Sequence, residues 1–184
     1  MSGRSCGVGC VRIGAFPKRN SRSTWGSSSL YTTCESAVKR YWARSLSYSF
    51  QKTPDPNKSV VDYGFSFGGA MTNLIACVRQ RSTRAVAVDA GWLPDAGCDG
   101  PVSYWAEHAD DDQAVSITAG RAAKEFWRNM DSCSTATTPV WPSPCVAYTG
   151  CQSGFAVTWC ELPQGGHTWN TWTSQAIAAF LSQY

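Results

Sequence analysis

Histidine is scarce in this chain: two residues, His108 and His167, are all that 184 positions hold, so any chemistry that needs an imidazole must use one of them. No apolar run is long enough to span a bilayer, which excludes a transmembrane helix. The first 30 residues contain no apolar stretch of signal-peptide length. There is no Cys-x-x-Cys pair and no His/Cys cluster at zinc spacing, which argues against a metal; no cofactor is expected. Acidic residues are nearly absent from the front. Residues 1–50 hold eight Lys/Arg against the single acid Glu35, whereas residues 51–184 carry a net charge of −4, so the overall +3 averages two unlike pieces.

The front piece has eleven serines among its first 50 residues and Arg/Ser runs such as Asn20-Ser21-Arg22-Ser23. It shows no sustained strand or helix period, apart from a short basic helix over Glu35 to Leu46. We therefore expect an irregular basic lead over 1–57 and a folded part over 58–184. A basic arm can bind nucleic acid or anionic lipid. No nucleic-acid-binding fold is recognisable, so neither nucleic acid nor membrane is expected as a partner.

The folded part opens on Gly64-Phe65-Ser66-Phe67-Gly68. Before it, Val60 to Tyr63 reads as a short β-branched and aromatic strand; after it, Gly69 to Val78 reads as a helix. Gly-x-Ser-x-Gly at a strand-to-helix turn is the nucleophile elbow of α/β-hydrolases, with small residues at Gly64 and Gly68 letting the two elements approach. The competing reading of Ser66 is a plain helix N-cap. Element order favours the elbow. A serine nucleophile needs an imidazole to take its proton and a carboxylate to orient that imidazole, in chain order Ser, acid, His. Strands are expected at Ala85 to Val88 and Val102 to Ala106. The second runs into His108-Ala109-Asp110-Asp111-Asp112, and one of the three aspartates is the candidate acid, the others lying in water or capping the next helix. A helix follows over Thr118 to Met130, then a strand over Phe155 to Cys160. Gly165-Gly166-His167 lies just beyond it, a flexible loop able to carry the base over Ser66. His108 reads instead as a structural hydrogen-bonding residue.

These residues carry a family resemblance. Gly64-Phe65-Ser66-Phe67-Gly68-Gly69-Ala70-Met71-Thr72, the His108-x-x-x-Asp112-x-x-Val115 pattern, Pro142-Ser143-Pro144-Cys145-Val146-Ala147-Tyr148-x-Gly150-Cys151, and Trp159-Cys160-Glu161 followed by Gly166-His167-Thr168 are similar to fungal feruloyl esterases of carbohydrate esterase family 1. That family is related to acetyl xylan esterases and polyhydroxybutyrate depolymerases. The resemblance covers about residues 58–184. It implies an α/β fold, the C-terminal part of an α/β-hydrolase sheet from the elbow onward. It also implies Ser66 as nucleophile, Asp112 as acid and His167 as base. The family places a histidine four residues before the acid and a valine three after it. Ala109 stands where the family usually has Gly.

The implied enzyme is a secreted carboxylic ester hydrolase that removes feruloyl groups from plant cell-wall arabinoxylan. The backbone N–H of Phe67 is the expected oxyanion donor. The resemblance leaves acetyl xylan or polyester hydrolysis as alternatives, with an inactive remnant or a non-catalytic carbohydrate-binding module further off. In the family the region before the elbow carries a secretion signal, the first strands of the sheet and a Gly-rich loop with a second oxyanion donor. None is visible before residue 58, so a truncated or misassembled front is expected, leaving the outer edge of the elbow strand open.

Nine cysteines point to an oxidising compartment. For Cys133, Cys145, Cys151 and Cys160, around a Pro/Ser/Thr-rich loop, a nested pairing of Cys133 with Cys160 and Cys145 with Cys151 is one of three connectivities, and spacing does not choose among them. Cys77 and Cys98 are expected to find partners among Cys6, Cys10 and Cys34. Asn57-Lys58-Ser59 is an N-glycosylation acceptor. Of nine tryptophans, Trp105, Trp127 and Trp159 fall in periodic segments and are expected in the core. Trp92, Trp141, Trp169 and Trp172 fall in loops, and Trp169, beside the candidate base, is the one expected to face substrate.

Overall fold

The computed structural model describes residues 60–95, 97–98 and 100–184. The expected lead over 1–57, the glycosylation acceptor and Cys6, Cys10 and Cys34 lie outside these residues. Strand β1 (Val60–Phe65) leads into helix α1 (Phe67–Val78), followed by β2 (Thr83–Asp89), β3 (Ser103–Ala109) and helix α2 (Ile117–Met130). Two short strands, β4 (Thr137–Pro139) and β5 (Val146–Tyr148), precede β6 (Val157–Leu162) and helix α3 (Thr173–Leu181). The strands and helices expected within these residues are present with ends shifted by at most three residues; the short helix expected over Glu35 to Leu46 lies outside them. Strands β4 and β5 are additions, in the Pro/Ser/Thr-rich stretch read as a stapled loop.

Among the described residues the strands form one sheet in the order β1-β2-β3-β6-β5-β4. The first four are parallel, β5 runs antiparallel to β6, and β4 runs antiparallel to β5. The period of two divides the central strands between two cores. Val86, Val88, Tyr104 and Ala106 pack with Trp127 of α2 and Ala76 of α1, whereas Ala85, Ala87 and Trp105 pack with Ala176, Ile177 and Phe180 of α3. Helices on both faces explain why β2 and β3 are almost continuously buried, as parallel strands usually are. At the end of the order, β1 alternates instead, with Val61 and Tyr63 exposed. No helix among the described residues is long and apolar enough to cross a membrane.

The cysteines pair differently from the expectation. Cys133 bonds Cys151, Cys145 bonds Cys160, and Cys77 bonds Cys98. The unexpected strand β5 supplies the reason. In its antiparallel ladder with β6, Val146 faces Trp159, so the next position outward sets Cys145 opposite Cys160. Likewise Ser134 N–H donates to the Thr149 carbonyl at 2.8 Å and brings Cys133 beside Cys151. Nested pairing would require pulling β5 off the sheet. Cys77, on α1, meets Cys98 in the β2–β3 connection and needs no partner from the front.

The parallel register also sets the place of the site. Phe65 lies beside Asp89, Asp89 beside Glu107, and Ala109 beside Leu162, so the carboxyl ends of β1, β2, β3 and β6 line up along one edge. Open parallel sheets bind ligands at that edge.

Candidate active site

Ser66 sits in the turn between β1 and α1 with φ 57° and ψ −121°, a region that costs an ordinary residue about 1–3 kcal/mol. The turn is held from both sides. Ser66 N–H donates to the Asp89 carbonyl at 2.8 Å, and the Ser66 carbonyl accepts from Ala70 N–H at 3.1 Å. A Cβ on Gly64 would lie 2.3 Å from the Gly68 backbone, so only glycine fits there. At Gly68 the expectation fails: a Cβ there would meet nothing within 4 Å. Close packing falls on Gly69 instead, where a Cβ would lie 3.0 Å from Val88 Cγ1 and 3.1 Å from the Gly64 carbonyl.

The Ser66 side chain does not cap α1. Its hydroxyl lies 2.7 Å from His167 Nε2, and His167 Nδ1 lies 2.7 Å from Asp112 Oδ2. An ionised carboxylate only accepts, so Nδ1–H donates to Asp112 and Nε2 is left to accept from Ser66. The other oxygen, Asp112 Oδ1, accepts from the Ala114 and Val115 N–H groups at 2.8 and 2.9 Å. Burial pushes the Asp112 carboxyl up, but the bonds from His167 and the two amides outweigh it and hold the group below the usual aspartate range.

Asp89, buried at the end of β2, goes the other way. Desolvation, with Glu107 and Asp112 nearby, pushes its carboxyl up to about 8. At neutral pH Asp112 is therefore charged and Asp89 largely neutral, a separation set chiefly by burial of Asp89 and by the hydrogen bonds to Asp112.

His108 is buried, with Nε2 2.8 Å from the Val115 carbonyl and 3.3 Å from Asp112 Oδ2. It braces the turn that holds the acid, as a structural histidine would. Helix α2 makes room for it, since a Cβ on Gly120 would lie 2.3 Å from His108 Nδ1. Neither neighbouring aspartate caps that helix, whose N-cap is Ser116. Asp110 pairs with Arg121 at 3.0 Å, and Asp111 Oδ1 accepts from Gly166 N–H at 2.7 Å. Glu107, the one acidic residue of β3, accepts from Asn170 Nδ2 and Thr173 Oγ1. The buried acid in β3 was the sequence signal for this contact; nothing in the sequence marked the Asp111 contact.

Phe67 is the first residue of α1, so its N–H has no acceptor within the helix and points from the positive end of the helix dipole. Around the Ser66–His167 pair the walls are aromatic. Phe65 lies 4.8 Å from the His167 ring and 6.1 Å from Trp169, which is 6.4 Å from Tyr63. Trp169 is partly exposed and fixed by a 3.0 Å bond from Nε1 to Ser174 Oγ. On the other side Phe67 and Trp92 meet at 5.9 Å. Trp105, Trp127 and Trp159 are core residues, Trp172 packs beside α3, and Trp141 is exposed.

No family model matches the chain. Fungal feruloyl esterases are among its relatives. Feruloyl esterase D of Neurospora crassa is 37% identical over 108 residues, 54% of this chain and 37% of that enzyme. Feruloyl esterase C of Emericella nidulans is 40% identical over 73 residues, 38% of this chain and 27% of that enzyme. A probable feruloyl esterase C of Aspergillus terreus is 39% identical over 77 residues, 40% of this chain and 28% of that protein. The matches thus span well under half of each relative. Among solved structures, SOBER1 of Arabidopsis thaliana superposes with a TM-score of 0.52 at 20% identity, covering 80% of this chain and 62% of that one. Esterase PE8 superposes at 0.51 with 15% identity, covering 86% of this chain and 61% of that one. At such identities the likeness is one of fold. Over 38–54% of its length the chain is similar in sequence to fungal feruloyl esterases, and its fold is part of an α/β-hydrolase fold.

Proposed function

We propose that the chain is a serine carboxylic ester hydrolase of the feruloyl esterase type, acting on hydroxycinnamoyl esters of plant cell-wall arabinoxylan, with residues 58–184 as its catalytic part. One observation carries the reading: the unbroken hydrogen-bonded path from Ser66 Oγ through the His167 ring to Asp112, 2.7 Å at each step. In this reading Ser66 Oγ attacks the ester carbonyl while His167 Nε2 takes its proton. Asp112 keeps the proton on Nδ1 and stabilises the imidazolium that forms. The carbonyl oxygen, negative in the tetrahedral intermediate, accepts from the Phe67 N–H. Collapse expels the alcohol, which takes the proton from His167. Water, activated by the same nitrogen, then frees the acid and regenerates Ser66.

The feruloyl choice is supported by the names of the fungal relatives. It is also supported by the aromatic wall of Phe65, Trp169 and Tyr63 beside the nucleophile, on which a phenolic ring or a sugar face can stack, with Trp169 as the substrate contact. Three disulfides support a secreted protein.

The test is turnover of methyl ferulate and para-nitrophenyl acetate by the purified chain and its Ser66→Ala variant. Loss of a triad nucleophile is expected to cost about 10⁶ in kcat. Activity that survives the substitution unchanged would assign the chemistry to another nucleophile, and a preference for the acetyl ester would move the substrate to an acetylated polymer.

A further inference from the structure

The loop that carries His167 runs from Pro163 to Trp172 and includes Gly165 and Gly166, with Gly166 at φ +60°. Glycine leaves such a loop more conformational freedom than any other residue. A general base cannot use that freedom, because a displacement of about 1 Å from the reactive geometry can cost about 10²-fold in rate.

Two carboxylates of the β3 region remove it, one on each side of the ring. Before His167, Gly166 N–H donates to Asp111 Oδ1 at 2.7 Å. After it, Asn170 Nδ2 donates to Glu107, and Thr173 Oγ1 lies 3.2 and 3.1 Å from the two Glu107 oxygens. Both anchors belong to the same short stretch as Asp112, so the acid and the loop that brings the ring to it share one frame. Glu107 is buried and contributes to the packing under α3, whereas Asp111 is exposed, and its carboxylate bond falls on the amide adjoining the base.

We propose that Asp111 is a positioning residue for His167: its carboxylate fixes the Gly166 amide and thereby the placement of the imidazole between Ser66 and Asp112. The inference rests on the triad reading above for its kinetic consequence, but its geometric content stands without it. In this proposal Asp111 supplies an acceptor, and Asp111→Asn, which keeps an oxygen that Gly166 N–H can reach, separates the acceptor from the charge.

The experiment compares the full chain with Asp111→Ala and Asp111→Asn, and uses Ser66→Ala and His167→Ala as references. Asp111→Ala is expected to lower kcat for methyl ferulate about tenfold with KM unchanged, and Asp111→Asn to recover most of it. Both should melt close to the parent, as exposed substitutions usually do. Independently of turnover, the downfield imidazole N–H resonance that His167→Ala removes should persist in Asp111→Asn and broaden or vanish in Asp111→Ala. A parental kcat in Asp111→Ala, with Ser66→Ala inactive, overturns the proposal. So does a parental N–H resonance in Asp111→Ala, even if the chain turns over no ester. An Asp111→Ala chain that fails to fold would likewise overturn it, by making the residue a determinant of stability.

Discussion

The glycines around Ser66 divide the labour of the turn unequally. Gly64 faces the Gly68 backbone at a distance that admits no Cβ, while Gly68 faces open space. Gly64→Ala is expected to destroy the turn, seen as loss of soluble protein or of the native near-ultraviolet circular dichroism. Gly68→Ala, on the first turn of α1, should fold normally. It should gain about 0.5 kcal/mol of helix stability, read as a slightly higher melting temperature. The pentapeptide conceals this difference, because the motif gives both glycines the same weight. That Ser66, His167 and one of the aspartates would come together was legible, since a hydroxyl, a carboxylate and an imidazole in that chain order leave few candidates when only two histidines exist; the choice of Asp112 came from the family resemblance. The roles of Asp110 and Asp111 were not legible: three successive aspartates look alike in sequence, and only their distances to Arg121, Gly166 and His167 separate them.

At the scale of elements, the strands and helices that carry the site could be read because β-branched and apolar runs alternate there with glycine and acidic turns. The hairpin of β4 and β5 could not. Each strand is three residues long, and they lie among Pro, Ser and Thr, with no apolar period to signal a sheet. Missing that hairpin meant missing the register that pairs the cysteines.

The junction of α2 with β3 holds a titratable joint. Asp131, fully buried at the end of α2, accepts from Val102 N–H just before β3 at 3.3 Å. Burial pushes its carboxyl up to about 7, against the lowering effect of that bond. The folded state therefore binds the proton more tightly than the unfolded chain, whose aspartates titrate near pH 4. Stability from this group is complete below about pH 4 and is lost as the pH rises to about 7. Asp131→Asn, which keeps the acceptor for Val102 and cannot ionise, should flatten that part of the slope. Its melting temperature should fall less than the parent's between pH 4 and 8, as thermal unfolding across that range would show. Asp89 titrates with the same sign up to about 8, so some slope should remain.

For the whole molecule, among the described residues three disulfides join helix α1 to the β2–β3 connection, the loop after α2 to the loop after β5, and the residue before β5 to strand β6. Cys145 and Cys160 close a loop with a sequence separation of 15, for which loop-closure entropy corresponds to about 3 kcal/mol. The double variant Cys145→Ala, Cys160→Ala should lower the free energy of unfolding by about that amount, measured as a lower urea midpoint with the slope of the transition also compared. Non-reducing peptide maps of the parent should yield the 133–151, 145–160 and 77–98 linked pairs. Recovery of the nested pair would place β5 off the sheet in solution.

The hydroxyl of Ser66 and the ring that completes it stand 101 positions apart in the chain. A ribosome delivers the serine long before His167, and a growing chain cut anywhere short of residue 167 lacks the imidazole that lies against the Ser66 hydroxyl. The last two strands of the parallel set and the loop beyond β6 must be made and docked first, and pairings so distant in sequence are the slow ones in folding. On the proposed function, ester hydrolysis reports a finished molecule: nascent chains and chains clipped before residue 167 should stay silent, and the recovery of turnover after denaturation should time the final closure of the sheet.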